Sequence, residues 1–224
     1  MVGAVALTCV ALGEAKPELR RGAEWRREFA AGTSERLAEI ADFEKGVWTV
    51  CPDGSITASK DSNIWLKGSY GDFELDLEYK LEPGGNSGVV IRCSDAGNWI
   101  PNAIEVQILD DYAERWTKVA PEWKCAGIFG HIGPTVQNVK PAGEWNRMTI
   151  RAEGRRIRVR QNGADVLDAD TSRWTDAKRN PNGSEAPSFL SRPMAQMALK
   201  GRIGFQGRHA GARPYFRNVR IRPL

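Results

Sequence analysis

The stretch NAIEVQILDDY, residues 102–112, concentrates groups able to do acid–base work. Read as an extended strand, it puts Glu105 and Gln107 on one face, roughly 6–7 Å apart, with Asp110 and Asp111 at its end. His131 and His209, the chain's two histidines, add the side chains that titrate nearest neutral pH. Such a set can move a proton, hold hydroxyl groups or ligate a divalent cation, and the spacing alone does not choose among these. The plainer alternative is an ordinary wet strand face. Eight tryptophans favour a site. Trp65, Trp99, Trp116, Trp123, Trp145 and Trp174 fall mostly in or beside expected loops, where indoles next to carboxylates and amides can hold a sugar ring. Burial with a satisfied N–H is the more common use of a tryptophan, and some of the eight must serve the core.

These residues need a scaffold, and the sequence describes one. DFELDLEYKLE alternates without a miss, with Phe73, Leu75, Leu77, Tyr79 and Leu81 on a dry face and acids and Lys80 on a wet one. NRMTIRAEGRRIRVRQNGADVLDAD predicts further strands turning at Glu153-Gly154 and Asn162-Gly163, with Met148, Ile150, Ile157 and Val159 inward. Arg151, Arg156, Arg158 and Arg160 then lie outside, across from acidic strand residues. AIEVQILDD, GRIGFQG and YFRNVRIRPL complete the strand set. TSERLAEIADFEKG is the one helix candidate, and the polar, proline-containing stretch near 170–200 reads as a long loop insertion with about one helical turn. Many short strands joined by Gly/Asn/Pro turns predict an all-β fold, a two-sheet antiparallel jelly-roll sandwich. LEPGGNSGVVIRCSD, residues 81–95, adds a question: three glycines in five positions are more than a turn needs, unless something must approach the backbone.

Composition narrows the function classes. The chain has 224 residues, 41% hydrophobic and 27% charged, which suits a single large β-domain rather than disorder. Its net charge of +4 comes with acids and bases interleaved, so no basic block marks a nucleic-acid partner. The four cysteines form no CxxC pair, which argues against structural zinc, and a disulfide among Cys51, Cys93 and Cys125 is neither required nor excluded by spacing. Residues 1–22 carry an apolar run too short to span a bilayer and lack a basic start; they read as a truncated export signal or a disordered N-terminus, pointing to a periplasmic or secreted protein without an integral membrane segment. Residues 23–224 are expected to form one jelly-roll domain, of undetermined oligomeric state.

The ordered series GDFELDLEYKLEPGGNSGVVIR, EVQILDD, CAGIFGHIGP, KPAGEWNRMTI, QNG, GRIGFQG and YFRNVRIRPL resembles the 3-keto-disaccharide hydrolase domain family from about Trp48 to Leu224. Two departures stand out: EWRREFAAGTSERLAEIADF replaces the family's usual opening segment, and QGRHAG replaces a late QDHG motif, leaving His209 as its histidine, displaced by one position. The resemblance implies a concanavalin A-like (laminarinase-like) sandwich, usually exported, with a carbohydrate substrate in a concave groove. It implies that the GGNSG loop edges this groove, so that Asn86 and Ser87, with Arg92 on the next strand, Gln107, Trp145, Gln206 and His209, would bind substrate. Related glucanases of this sandwich class use two carboxylates on one strand with an Asp between them. Gln107 holds that middle position here and cannot ionise, which tells against the two-carboxylate route. A 3-keto sugar suits the residues better, because its C2 hydrogen is acidified. Glu105 or His131 would be the base, Arg92 or a bound divalent metal ion would steady the enolate, and Asp110, Asp111 and His209 would line the groove or ligate the metal. Two other classes stay open: a carbohydrate-binding module using the same groove without catalysis, and an interaction domain with no sugar role.

Overall fold

A computed structural model describes residues 24–27 and 33–224. The segment expected as an export signal or disordered N-terminus, 1–22, lies outside them. In chain order the strands are β1 (Arg26–Arg27), β2 (Ala41–Asp42), β3 (Trp48–Val50), β4 (Ile56–Ala58), β5 (Ile64–Leu66), β6 (Phe73–Leu81), β7 (Asn86–Cys93), β8 (Ile104–Leu109), β9 (Asn146–Glu153), β10 (Arg156–Gln161), β11 (Ala164–Asp170), β12 (Arg202–Phe205) and β13 (Pro214–Pro223). They form two antiparallel sheets. One runs β11-β10-β9-β6-β13-β4-β3, with β1 also paired to β13; the other runs β2-β5-β12-β7-β8. The chain passes between sheets after β1, β2, β4, β5, β6, β8, β11 and β12, which gives the expected jelly-roll sandwich.

Alternation does the sorting. Phe73, Leu75, Leu77, Tyr79 and Leu81 on β6, Met148 and Ile150 on β9, and Ile157 and Val159 on β10 are buried against Val89 and Ile91 of β7, Val106 and Ile108 of β8, and Phe205 of β12. Asn162 and Gly163 both take positive φ, 48° and 88°, the geometry a two-residue hairpin between β10 and β11 demands. On the larger sheet's outer face the arginines meet acids as expected. Arg156 bonds Asp168 at 2.6 Å, Arg160 bonds Asp165 at 2.9 Å, and Asp76 takes both Arg147 and Arg220 at 2.8 Å.

The helix forms over Ser34–Ile40 (α1), capped by the Thr33 hydroxyl, which accepts the Arg36 N–H. It buries Leu37 and hands the chain to β2 at Ala41. The 170–200 insertion holds two 3-10 turns, Thr171–Arg173 and Met194–Gln196. Cys51, Cys93 and Cys125 are free thiols. Among the described residues no helix is long and apolar enough to cross a membrane.

Candidate active site

The outer face of the five-stranded sheet carries the cavity. Its floor is β8, where Glu105 and Gln107 point away from the core residues Ile104, Val106 and Ile108, joined by Asn86 at the start of β7 and by Gln206 and His209 after β12. A short hairpin extends the floor past β8: Gln107 N–H donates to Gly127 O at 2.9 Å and Phe129 N–H to Glu105 O at 3.0 Å. The turn of this hairpin delivers His131. The walls are Trp99, Trp116, Trp123, Phe129 and side chains of the insertion, enclosing about 400 Å³, within the range of small-molecule sites.

Glycine at position 88 explains part of the glycine-rich stretch. Gly88 faces the floor opposite Gln107, and a Cβ there would stand 2.0 Å from Glu105 Oε1. The carboxyl of Glu105 thus lies directly over the β7 backbone. Gly84, with φ 72°, serves the turn itself, its N–H held by Asp110 Oδ2 at 2.7 Å.

Burial sets the electrostatics. Glu105 is half-buried, and its carboxyl makes no hydrogen bond or ion pair among the described residues. Loss of water, with a smaller contribution from the Asp61 charge, raises its pKa to about 8, so it holds a proton at neutral pH. His131 is buried too, and burial lowers its pKa, so its ring is neutral there.

Which nitrogen of His131 carries the proton follows from its neighbour. Asn180 donates its amide N–H groups to Gly130 O and Ser184 Oγ, both at 3.1 Å. Its Oδ1 accepts the Trp174 indole N–H at 3.1 Å and contacts His131 Nδ1 at 3.0 Å. A carbonyl oxygen can only accept, so Nδ1 carries the hydrogen and Nε2 keeps a lone pair. Asn180 belongs to the insertion, which the sequence predicts only as a long loop; nothing in its local pattern marks it.

The floor amides are incompletely used. Gln107 donates to Asn86 Oδ1 at 3.3 Å, leaving its own Oε1 buried without a partner, and Gln206 Oε1 is in the same state. Buried unpaired acceptors are costly unless a ligand supplies donors, as a ring of hydroxyl groups does. At the rim, His209 Nδ1 meets Asp61 Oδ2 at 2.7 Å. Among the described residues no lysine or arginine lines the cavity.

Several expected site residues stand elsewhere. Arg92 has φ 53°, and β12 shifts register beside it; this bulge turns the guanidinium inward to Gly154 O and Asp72, where it ties the two sheets together and is 1% exposed. Trp145 lies on the outer face of the other sheet, with the Arg217 guanidinium 3.9 Å from its ring centre. Ser87 is fully buried and donates to Gln206 O at 2.8 Å, fixing the floor without lining it. Asp110 binds the Gly84 and Tyr112 N–H groups, and Asp111 accepts from Cys125 N–H and Gln137. Both serve loop structure, and among the described residues no three His, Cys, Asp or Glu side chains gather as a ligand set. Glu105, Gln107, Asn86, His131, Gln206 and His209 do converge.

Comparison with known proteins agrees with this architecture. A curated 3-keto-disaccharide hydrolase of Bacteroides thetaiotaomicron is 29% identical over 172 residues, covering 68% of this chain and 59% of its own length. The chain therefore matches only about three-fifths of that relative. A solved candidate glycosyl hydrolase from Parabacteroides distasonis is 43% identical, with a TM-score of 0.84, over 90% of this chain and all of that one. A Bacillus subtilis protein with a galectin-like fold shares the sandwich at 12% identity and a TM-score of 0.54, over 88% of this chain and 94% of that one. The family model for the 3-keto-alpha-glucoside-1,2-lyase-like domain matches residues 23–222. With the fold, the polar floor and this match together, the chain belongs to the 3-keto-alpha-glucoside-1,2-lyase-like domain family.

Proposed function

We propose that this protein removes the C1 substituent of a 3-keto-glycoside by taking a proton from C2 and eliminating across C1–C2. One observation carries the reading. A carboxylic acid held protonated and an imidazole held neutral, with a free Nε2, face one cavity that no lysine or arginine of the described residues lines. Environments that push two titrating groups in opposite directions divide the acid and base roles between them. The 3-keto sugar itself is taken from the family and from the name of the Bacteroides relative.

His131 Nε2 removes the C2 hydrogen, and the electron pair moves onto the C3 oxygen as an enolate. Asn86, whose Oδ1 is occupied by Gln107, keeps its amide N–H groups to steady that oxygen. The enolate then reforms the ketone, the C1–O bond breaks, and protonated Glu105 supplies the leaving oxygen with its proton. The product is a 1,2-unsaturated 3-ketone. Return of water to C1, with Glu105 as base and His131 giving its proton back to C2, completes a hydrolysis; release before that step makes the reaction a lyase. Export, expected from the sequence, would place this chemistry where extracellular glycosides are met.

Methyl 3-keto-glucosides, assayed for released methanol and for enone absorbance, provide the test. The rate should form a bell in pH, falling below the lowered pKa of His131 and above about 8, where Glu105 loses its proton. Glu105→Gln and His131→Asn should each lose about 10²–10⁴-fold. Gln107 at the centre of the floor favours a second reading, binding without catalysis. Tight binding with no product from any 3-keto-glycoside would establish that reading instead.

A further inference from the structure

We propose that the cavity selects 3-keto-glycosides whose leaving group is aromatic over 3-keto-disaccharides, an inference that rests on the function proposed above. The cavity is divided by chemistry. Its amides, carboxyl and imidazoles belong to the floor, to the hairpin turn beside it and to the rim at His209, enough to hold one sugar ring. The facing wall is hydrocarbon. Trp123 meets Phe129 edge-on with centroids 4.8 Å apart, and Phe129 stacks on Phe189 at 6.1 Å and 21°. Leu190, Met194 and Met197 of the insertion continue that surface.

Phe189 is 49% exposed at the mouth although it sits on this apolar surface. A second sugar could lay one C–H face on a ring here, but its edge hydroxyls would meet Leu190, Met194 and Met197, and each one stripped of water without a partner weakens binding. An aromatic group instead gains from every stretch of apolar surface it covers, and ring contacts add to this. The same wall would bind a disaccharide poorly for the reason that it binds a phenyl ring well.

The experiment compares kcat/KM for 2-phenylethyl, methyl and glucosyl 3-keto-glucosides of one anomeric configuration. The phenylethyl leaving group is an alkanol, so any advantage is not one of leaving-group acidity. The phenylethyl substrate should exceed both others by about tenfold or more, equivalent to about 1.4 kcal/mol, and Phe189→Ala should reduce the phenylethyl-to-methyl ratio several-fold. A disaccharide turned over as well as the phenylethyl substrate, or a ratio unmoved by Phe189→Ala, overturns the proposal and leaves the elimination chemistry standing. If no 3-keto-glycoside reacts, the chemistry fails, and binding of the same three compounds, followed by tryptophan fluorescence, decides the selectivity separately. Phenylethyl preference there supports it; equal or disaccharide-favouring binding overturns it.

Discussion

A histidine can act as a base only through a nitrogen without a proton, and Asn180 decides which nitrogen of His131 that is. The amide orientation is fixed by two partners that each admit one role only: the Gly130 carbonyl, which accepts from the Asn180 N–H, and the Trp174 indole N–H, which donates to its oxygen. This makes Asn180 a positioning residue, acting through His131. Asn180→Asp places a negative charge against Nδ1–H and should raise the His131 pKa by about one unit or more. The acid side of the pH–rate bell would move upward with it. The His131 Cε1 proton, followed by NMR across the titration, reads this shift without any substrate. An unchanged titration would mean that the amide does not control the ring.

At the scale of elements, the site depends on two neighbouring strands giving each other room. β7 presents a glycine opposite Gln107, and the carboxyl of Glu105 reaches across to fill the space a side chain would otherwise take. The Gly88 backbone needs no left-handed conformation, so Gly88→Ala tests that space alone. The added methyl group must displace the flexible end of Glu105, at a stability cost on the order of 1 kcal/mol. Activity should fall by about 10–100-fold because the acid is moved off its position. Unchanged turnover in a folded variant would show that the carboxyl works from another place. The strands themselves were legible in sequence, because period-two alternation on β6, β9 and β10 is dictated by burial on one face. Glu105, Gln107 and the neighbouring floor residues were legible for the same reason, since β8 has one wet face. Arg92 was not. A bulge reverses the side of the sheet that a side chain faces, and alternation read straight through Val90 and Arg92 puts the guanidinium in the cavity. Trp145 failed differently: tryptophan in a loop says nothing of which sheet the loop borders. The insertion's part in the wall and in orienting His131 depends on long-range contacts that no local pattern carries.

For the whole molecule, the polar net on the outer face of the larger sheet contributes little, because pairs such as Arg156–Asp168 and Arg160–Asp165 are about half exposed or more. The shared core between the sheets holds the fold, and the site works against it. Glu105 is the clearest case, since burying its carboxyl disfavours the charged form in the folded state only. The sign follows from the direction of the shift: with a folded pKa of about 8 against about 4.5 unfolded, the folded chain binds the extra proton between those values. Stability is therefore unaffected by this group below about pH 4.5 and is lost as pH rises through about 8, by up to about 1.4 kcal/mol per unit. Glu105→Gln keeps the shape and removes the titration. Denaturant unfolding of both proteins from pH 4 to pH 9 should give a difference that grows with pH in favour of the glutamine variant, reaching about a few kcal/mol and levelling above pH 8. Other groups, including Asp111, whose pKa burial raises, cancel in the difference because both proteins carry them. A flat difference would mean that the carboxyl remains well hydrated, and the acid role assigned to Glu105 would lose its physical basis. A rising one would show a fold giving up stability at alkaline pH to keep an acid protonated where it can act.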